Sequence, residues 1–162
     1  MAQAISFIYD EYSSYTGSPQ NKFARDSFVL KKSRTKKGKQ VLLAAVADDT
    51  APFRDGNHAA DMAIALVTEF FTSNIFAELK SDKDFPGLEE AIRGLFSRIN
   101  KTVYNKAREE NVSISLSLSA AFMVDDRLFV GHVGTGKIIR IRQNEITAIA
   151  GEQTRLSQAA KI

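Results

Sequence analysis

Hydrophobic positions along this chain follow two periods, and the changes between them mark out strands, then helices, then strands again. Near the start, ISFIYDEY at residues 5–12 predicts a first strand, and the polar stretch 13–20, with Gly17 and Pro19, predicts a loop. A second strand is predicted from Asp26 to Lys32 and a third from Val41 to Ala47. The third is an uninterrupted apolar run rich in aliphatic types, the pattern expected of a strand covered on both faces. It leads directly into two acids, Asp48 and Asp49.

After an irregular segment holding Pro52, the sequence Asp55-Gly56-Asn57 reads as a helix entrance. Ala59, Ala63, Leu66, Val67, Phe70 and Phe71 then recur at three and four, predicting an amphipathic helix to about Leu79. Residues 82–87, with Pro86, predict a loop. A second helix follows, with Leu88, Ile92, Leu95, Phe96, Ile99 and Val103 on one stripe, fading near Glu110 and Asn111. Beyond it Val112, Ile114, Leu116 and Leu118 alternate with Ser113, Ser115, Ser117 and Ser119, which is period two. Asp125-Asp126-Arg127 turns the chain into LFVGHV, and Gln143-Asn144-Glu145 turns a strand at 137–142 into ITAIA. Three strand–turn–strand steps predict an antiparallel meander. Strands, two helices and strands again make an α+β protein: antiparallel sheets with a helical pair on one face.

The 162 residues correspond to a single domain by size, with no internal repeat. Without cysteine there is neither a disulfide framework nor a thiolate zinc site. The first residues lack the basic head and long apolar stretch of a secretory leader, and the longest uncharged apolar runs fall short of a membrane span. A cytoplasmic protein without membrane attachment is the expectation. The net charge of +3 is concentrated: Lys31, Lys32, Arg34, Lys36, Lys37 and Lys39 lie together with no acid among them. One reading is a solvated hairpin tip turning at Gly38; the other is a docking patch, centred on Lys36 and Lys37, for a phosphorylated or otherwise anionic partner. Nucleic acid is disfavoured, because no aromatic residue interleaves the cluster to stack on bases.

Several features with chemical overtones have plainer readings. Gly131 to Lys137 fits G-x-x-x-x-G-K, but Ile138 occupies the Ser/Thr position and the following residues alternate like strands. His58 and His132 are too far apart for a zinc site and read as a helix-start and a strand residue. The serine ladder has no histidine or lysine at a telling spacing, so it reads as the small polar face of a strand. Asp55 and Asp61 read as helix-start acids. Asp26 and Asp48 are either strand-end polar residues or cation ligands.

Four stretches together point further: NKFARDSF (21–28), VADDTAPFRDGNHAAD (46–61), SAAFMVDDRLFVGHVGTGK (119–137) and AGEQT (150–154). Their order resembles the metal-dependent protein phosphatase family of the protein phosphatase 2C type. The resemblance implies part of an αββα sandwich and two hard cations, Mn or Mg, whose shared water attacks a phosphoserine or phosphothreonine. It carries the family's two early aspartate ligands onto Asp26 and Asp48. It places Asp49 where the family has a glycine that binds metal through its backbone carbonyl. The departures are numerous. Arg25 puts a fixed positive charge beside Asp26, and Asn21 replaces an arginine. Thr135-Gly136-Lys137 replaces Asp-Ser-Arg, Glu152-Gln153 replaces Asp-His, and Thr50 to Phe53 replace a glycine-rich loop. The family's later segments, with further metal-binding aspartates, have no counterpart here. The expectation is a catalytically impaired domain with a regulatory or phosphoprotein-binding role in signalling. The alternatives are an active Mn- or Mg-dependent Ser/Thr phosphatase and an interaction domain using the hairpin 31–39. A sheet face left without cover further predicts a homodimer or a docking partner.

Overall fold

A computed structural model describes residues 26–151. The predicted strand at 5–12 and the positions Asn21, Arg25, Glu152 and Gln153 lie outside the described residues.

Strands β1 (Asp26–Arg34) and β2 (Gln40–Asp49) form a hairpin that packs beneath helix α1 (Ala59–Thr72). A short helix α2 (Asn74–Ala77) and the long helix α3 (Phe85–Glu109) follow. Strands β3 (Leu116–Val124) and β4 (Arg127–Val133) then complete an antiparallel sheet of order β1-β2-β3-β4. Strands β5 (Ile138–Arg142) and β6 (Glu145–Ala150) pair only with each other among the described residues. The expected meander is therefore divided between two sheets. The chain leaves β4 through Gly134, whose φ of +96° suits glycine, and packs so closely on Ser117 that a Cβ would lie 2.5 Å from its Oγ. That close passage carries the backbone from the first sheet to the second.

Residues paired across an antiparallel sheet share a face, and alternate residues of a strand take opposite faces. Leu43, Leu118, Phe122 and Val124 thus point with Val41 toward the helices. They meet Ala60, Ala63, Val67 and Phe71 of α1 and, in the same core, Leu88, Leu95 and Ile99 of α3. Alanines at the sheet-facing positions of α1 let its backbone lie close to the strands. Gly131 of β4 does the same for α3, since a Cβ there would fall 2.2 Å from the Phe96 ring.

Among the described residues, the apolar run of β2 is fully covered on one face only. Its burial alternates, and Val46, on the face away from the helices, is half exposed. Among the described residues only the β5–β6 hairpin stands over part of that face, so an unbroken run of apolar residues does not guarantee two-sided cover. β2 also extends to Asp49, so both acids belong to the strand.

Three element boundaries differ from expectation for local chemical reasons. The first helix ends at Thr72, not near Leu79. The Thr72 hydroxyl donates to the Thr68 carbonyl (3.0 Å) and the Ser73 hydroxyl to that of Phe70 (2.6 Å), while Ser73 is extended. The resulting turn swings Phe76 into the core, stacked on Phe122 with centroids 5.6 Å apart. Pro86 does not sit in a loop but in the first turn of α3, where its missing N–H costs no intrahelical bond. Residues 112–115 alternate without forming a strand. Their partner is a loop, with Ser115 N–H donating to Thr50 Oγ1 (3.0 Å) and Thr50 N–H to the Ser115 carbonyl (3.1 Å). By length and apolar composition residues 59–77 could span a bilayer, but the break at Ser73 and the burial of Ala63, Val67, Phe71 and Phe76 make this a core segment.

Candidate functional site

Asp26 and Asp48 are direct register partners across β1 and β2. Directly paired residues have Cβ atoms about 4.5–5.5 Å apart, so the two carboxylates share one small patch at the end of the open sheet face. Burial pushes the Asp48 carboxyl above its ordinary range, and the charge and hydrogen bond of Asp26 add to the shift, as does the charge of Asp49. Two like charges on one patch favour either a shared proton or a cation between them.

Asp49 is turned the other way. Its side chain is fully buried on the helix face, where Ala60 N–H donates to Oδ2 (2.9 Å) and His58 Nδ1 lies 3.0 Å from Oδ1. The carboxylate fixes the first turn of α1, where the helix dipole favours negative charge. Of the three predicted metal-site residues, therefore, two side chains come together and the third serves the helix, leaving only its backbone carbonyl for a cation. His58 stands at the helix start as expected, but its imidazole reaches back to a strand acid, a link the sequence pattern did not indicate.

A hard divalent cation takes six or more oxygen ligands, and a pair of them needs several carboxylates. Among the described residues no third Asp, Glu, His or Cys joins Asp26 and Asp48. Ser117, in the same cross-strand row, instead meets the Thr135 hydroxyl at 3.1 Å and accepts from Thr135 N–H at 3.2 Å. The described residues do not fit a two-cation centre.

The basic cluster forms an ordered tip. The Thr35 hydroxyl accepts from the N–H groups of Lys37 and Lys39 (both 3.2 Å), and Gly38 takes φ +82°. Lys36 helps dock the tip on α2: its ammonium bonds Glu78 and its N–H the Ala77 carbonyl (3.0 Å), while its side chain stays largely exposed. Lys39 lies 3.7 Å from Asp125, whereas Lys37 projects from the exposed turn.

The near P-loop leads into strand β5, not a helix, and its glycines permit close packing. In the same region Ser119 and His132 are cross-strand partners, with Oγ and Nδ1 2.9 Å apart. Sequence spacing could not reveal this pair, because it depends on the β3–β4 register. Among the described residues His132 Nε2 is buried without a partner, and no third group orients the imidazole as in a catalytic triad. Gly136 packs over both side chains.

No protein-family model matches the chain, and no curated protein matches it. Solved structures do match. A bacterial serine phosphatase aligns over 91% of this chain and 57% of its own, with a TM-score of 0.69 and 16% identity. The serine/threonine phosphatase Stp1 from Staphylococcus aureus aligns over 98% and 63%, with a TM-score of 0.66 and 16% identity. The catalytic domain of the serine/threonine protein phosphatase PstP, in complex with two manganese ions, aligns over 84% and 60%, with a TM-score of 0.53 and 18% identity. At such identities the matches establish the fold, which is that of the 2C-type protein phosphatases. The chain spans about three-fifths of the length of these structures.

Proposed function

We propose that this chain is a 2C-type phosphatase-fold domain that acts by binding, in a regulatory or phosphoprotein-recognising role, and not by hydrolysis. The observation that carries this reading is the isolation of Asp26 and Asp48. They share the open face with no third carboxylate or imidazole among the described residues, and the neighbouring Asp49 is committed to α1. A single cation held by two carboxylates lacks the second metal that would brace both the attacking and the leaving oxygen. The exposed Lys37 at the hairpin tip, outside this patch, supports recognition of an anionic partner.

One observation favours an active phosphatase as the second reading. Burial first, then the charge of Asp26, raises the Asp48 pKa; the second of these is a repulsion that a dication relieves, and the PstP structure holds two manganese ions. The test is turnover of a phosphoserine peptide with manganese, beside a calorimetric manganese titration. The binding role predicts no more turnover than Asp48→Asn shows, and at most one manganese per chain. Manganese-dependent hydrolysis abolished by both Asp26→Asn and Asp48→Asn would establish the active enzyme.

A further inference from the structure

Among the described residues β4 is an open edge of the four-stranded sheet. Which of its backbone groups face outward follows from the ladder. The Asp125 N–H donates to the Gln40 carbonyl (3.0 Å), so odd-numbered residues of β3 bond toward β2 and even-numbered ones toward β4. The partners of those even residues are Arg127, Phe129, Gly131 and Val133. The N–H and C=O groups of Leu128, Val130 and His132 therefore point out of the sheet. From Leu128 to Val133 the edge carries no proline, acid, lysine or arginine and no register shift, the devices that blunt an exposed strand.

Helix α3 flanks the same edge. One groove, of about 570 Å³, lies between Ile92, Phe96 and residues 128–132; another, of about 800 Å³, lies between later turns of α3, the segment 112–116 and Val133. They share Phe96, Ser97 and His132, so they form one continuous slot, and no residue of β5 or β6 lines it. Along α3 the slot runs from Glu89 to Arg108, about 28 Å at 1.5 Å per residue, which is the length of about eight extended residues. Its charge is uneven. Glu89 stands one turn before Arg93 and offsets it, whereas the other end holds Arg108, exposed, with no acid in the lining and no ion pair among the described residues.

We infer that this slot binds an extended segment of a partner protein, paired with the β4 edge, with apolar side chains at alternate positions and an acidic residue over Arg108. A strand is the form of peptide that presents N–H and C=O groups at the spacing of Leu128, Val130 and His132. Its alternate side chains point to the helix side, where Phe96, Val103 and Ile114 receive them. The bare guanidinium favours an acid there. A second copy of β4 fits less well, because the strand has no acid and the two acids of its turn already face Lys39 (3.7 Å) and Arg127 (3.8 Å). The slot is at the opposite edge of the sheet from β1 and Asp26, so the inference holds whether or not the acid pair binds metal or supports hydrolysis.

The probe is a fluorescent, end-blocked peptide of about eight residues, alternating valine and threonine between terminal glutamates. Anisotropy with the full chain should give a Kd of about 100 µM or tighter. A lysine-ended peptide should bind about fivefold more weakly, and Arg108→Glu should invert the preference. Only alternate residues of the peptide can face β4. Methylating one alternate set of its backbone nitrogens should therefore weaken binding by about tenfold or more, and methylating the other set should not. Bound peptide should slow hydrogen exchange at the N–H groups of Leu128, Val130 and His132, leaving those of Phe129 and Gly131 unchanged. No binding of the glutamate-ended peptide at about 1 mM overturns the inference. So do equal losses from both methylation patterns, a charge preference unmoved by Arg108→Glu, or protection elsewhere than on β4. A peptide-free dimer in which the same three amides are already protected also overturns it, since a second copy then fills the edge.

Discussion

Asp48 and Asp49 are consecutive residues of one strand, yet their carboxylates lie on opposite faces of the sheet and do opposite things. Asp49 is buried with two partners, Ala60 N–H and His58, and holds a helix start. Asp48 looks out beside a second acid, and its charge is held at a cost. The strand's period of two thus separates a structural acid from a candidate ligand.

The first consequence concerns Asp48 and pH. Its folded-state pKa is raised above the model-peptide value of 3.8, so its favourable contribution is complete only below that value, where it is protonated in both states. That contribution is lost as pH rises through the folded pKa. Asp48→Asn should therefore stabilise the metal-free protein at pH 7 by about 0.2–1 kcal/mol, the usual cost of like charges directly opposed on a sheet. The gain should shrink as pH falls below 3.8, where the carboxyl becomes protonated in both states. Urea denaturation at pH 7 and at pH 3.5 checks both sign and window, and added manganese should reverse the neutral-pH difference by favouring the wild type.

Asp49 should behave in the opposite way. Asp49→Ala leaves the Ala60 N–H and the His58 imidazole without their acceptor in a buried setting, and is expected to cost about 1–3 kcal/mol. His58→Ala, which removes only the half-buried partner, should cost less. If the carboxylate has no direct part in cation binding, Asp49→Asn should leave calorimetric manganese affinity near the wild-type value, whereas Asp48→Asn should abolish it.

How much of this was legible in the sequence depends on distance along the chain. The α+β order, both helices and the nomination of Asp26 and Asp48 as candidate ligands follow from period and resemblance. Each is a property of a single element or of a known order of elements. The destination of the Asp49 side chain required knowing that α1 begins over the end of β2. The Ser119–His132 contact required the β3–β4 register. The open face of β2 escaped because an apolar run reads alike whether one face or two are covered. The end of α1 escaped because Thr72 and Ser73 break it through hydroxyl bonds that apolar periodicity ignores.

Gly131 offers a check on how tightly α3 is seated on β4. A Cβ at this position would penetrate the Phe96 ring, so Gly131→Ala should destabilise the protein by roughly 1–3 kcal/mol, as expected of overpacking. Phe96→Leu should be mild alone and should recover part of the loss when combined with Gly131→Ala. An additive double variant would mean that the strain is relieved elsewhere than at the ring.

The loop that follows the acid pair is clamped to the far end of α3, and this clamp bears on the candidate site. Lys106 bonds Asp55 Oδ2 (2.5 Å) and lies 4.7 Å above the Phe53 ring, while Arg54 N–H donates to Glu110 (2.5 Å). The Lys106 hydrogen bond, then those from Asn57, hold the Asp55 carboxyl at about 2. A depressed carboxyl contributes stability above its unfolded value near 3.8, and that contribution is lost as pH falls through about 2. NMR titration of the Asp55 carboxyl should show a midpoint near 2 in the wild type and a return toward 3.8 in Lys106→Met. The same variant should increase hydrogen exchange at Phe53 and Gly56, whose N–H groups bond within the loop. Because the loop runs directly from Asp49 to α1, its release should also weaken manganese binding at Asp26 and Asp48 if the clamp sets the end of β2. Unchanged affinity alongside a normalised Asp55 would show that the pairing of β1 and β2 alone positions the acids.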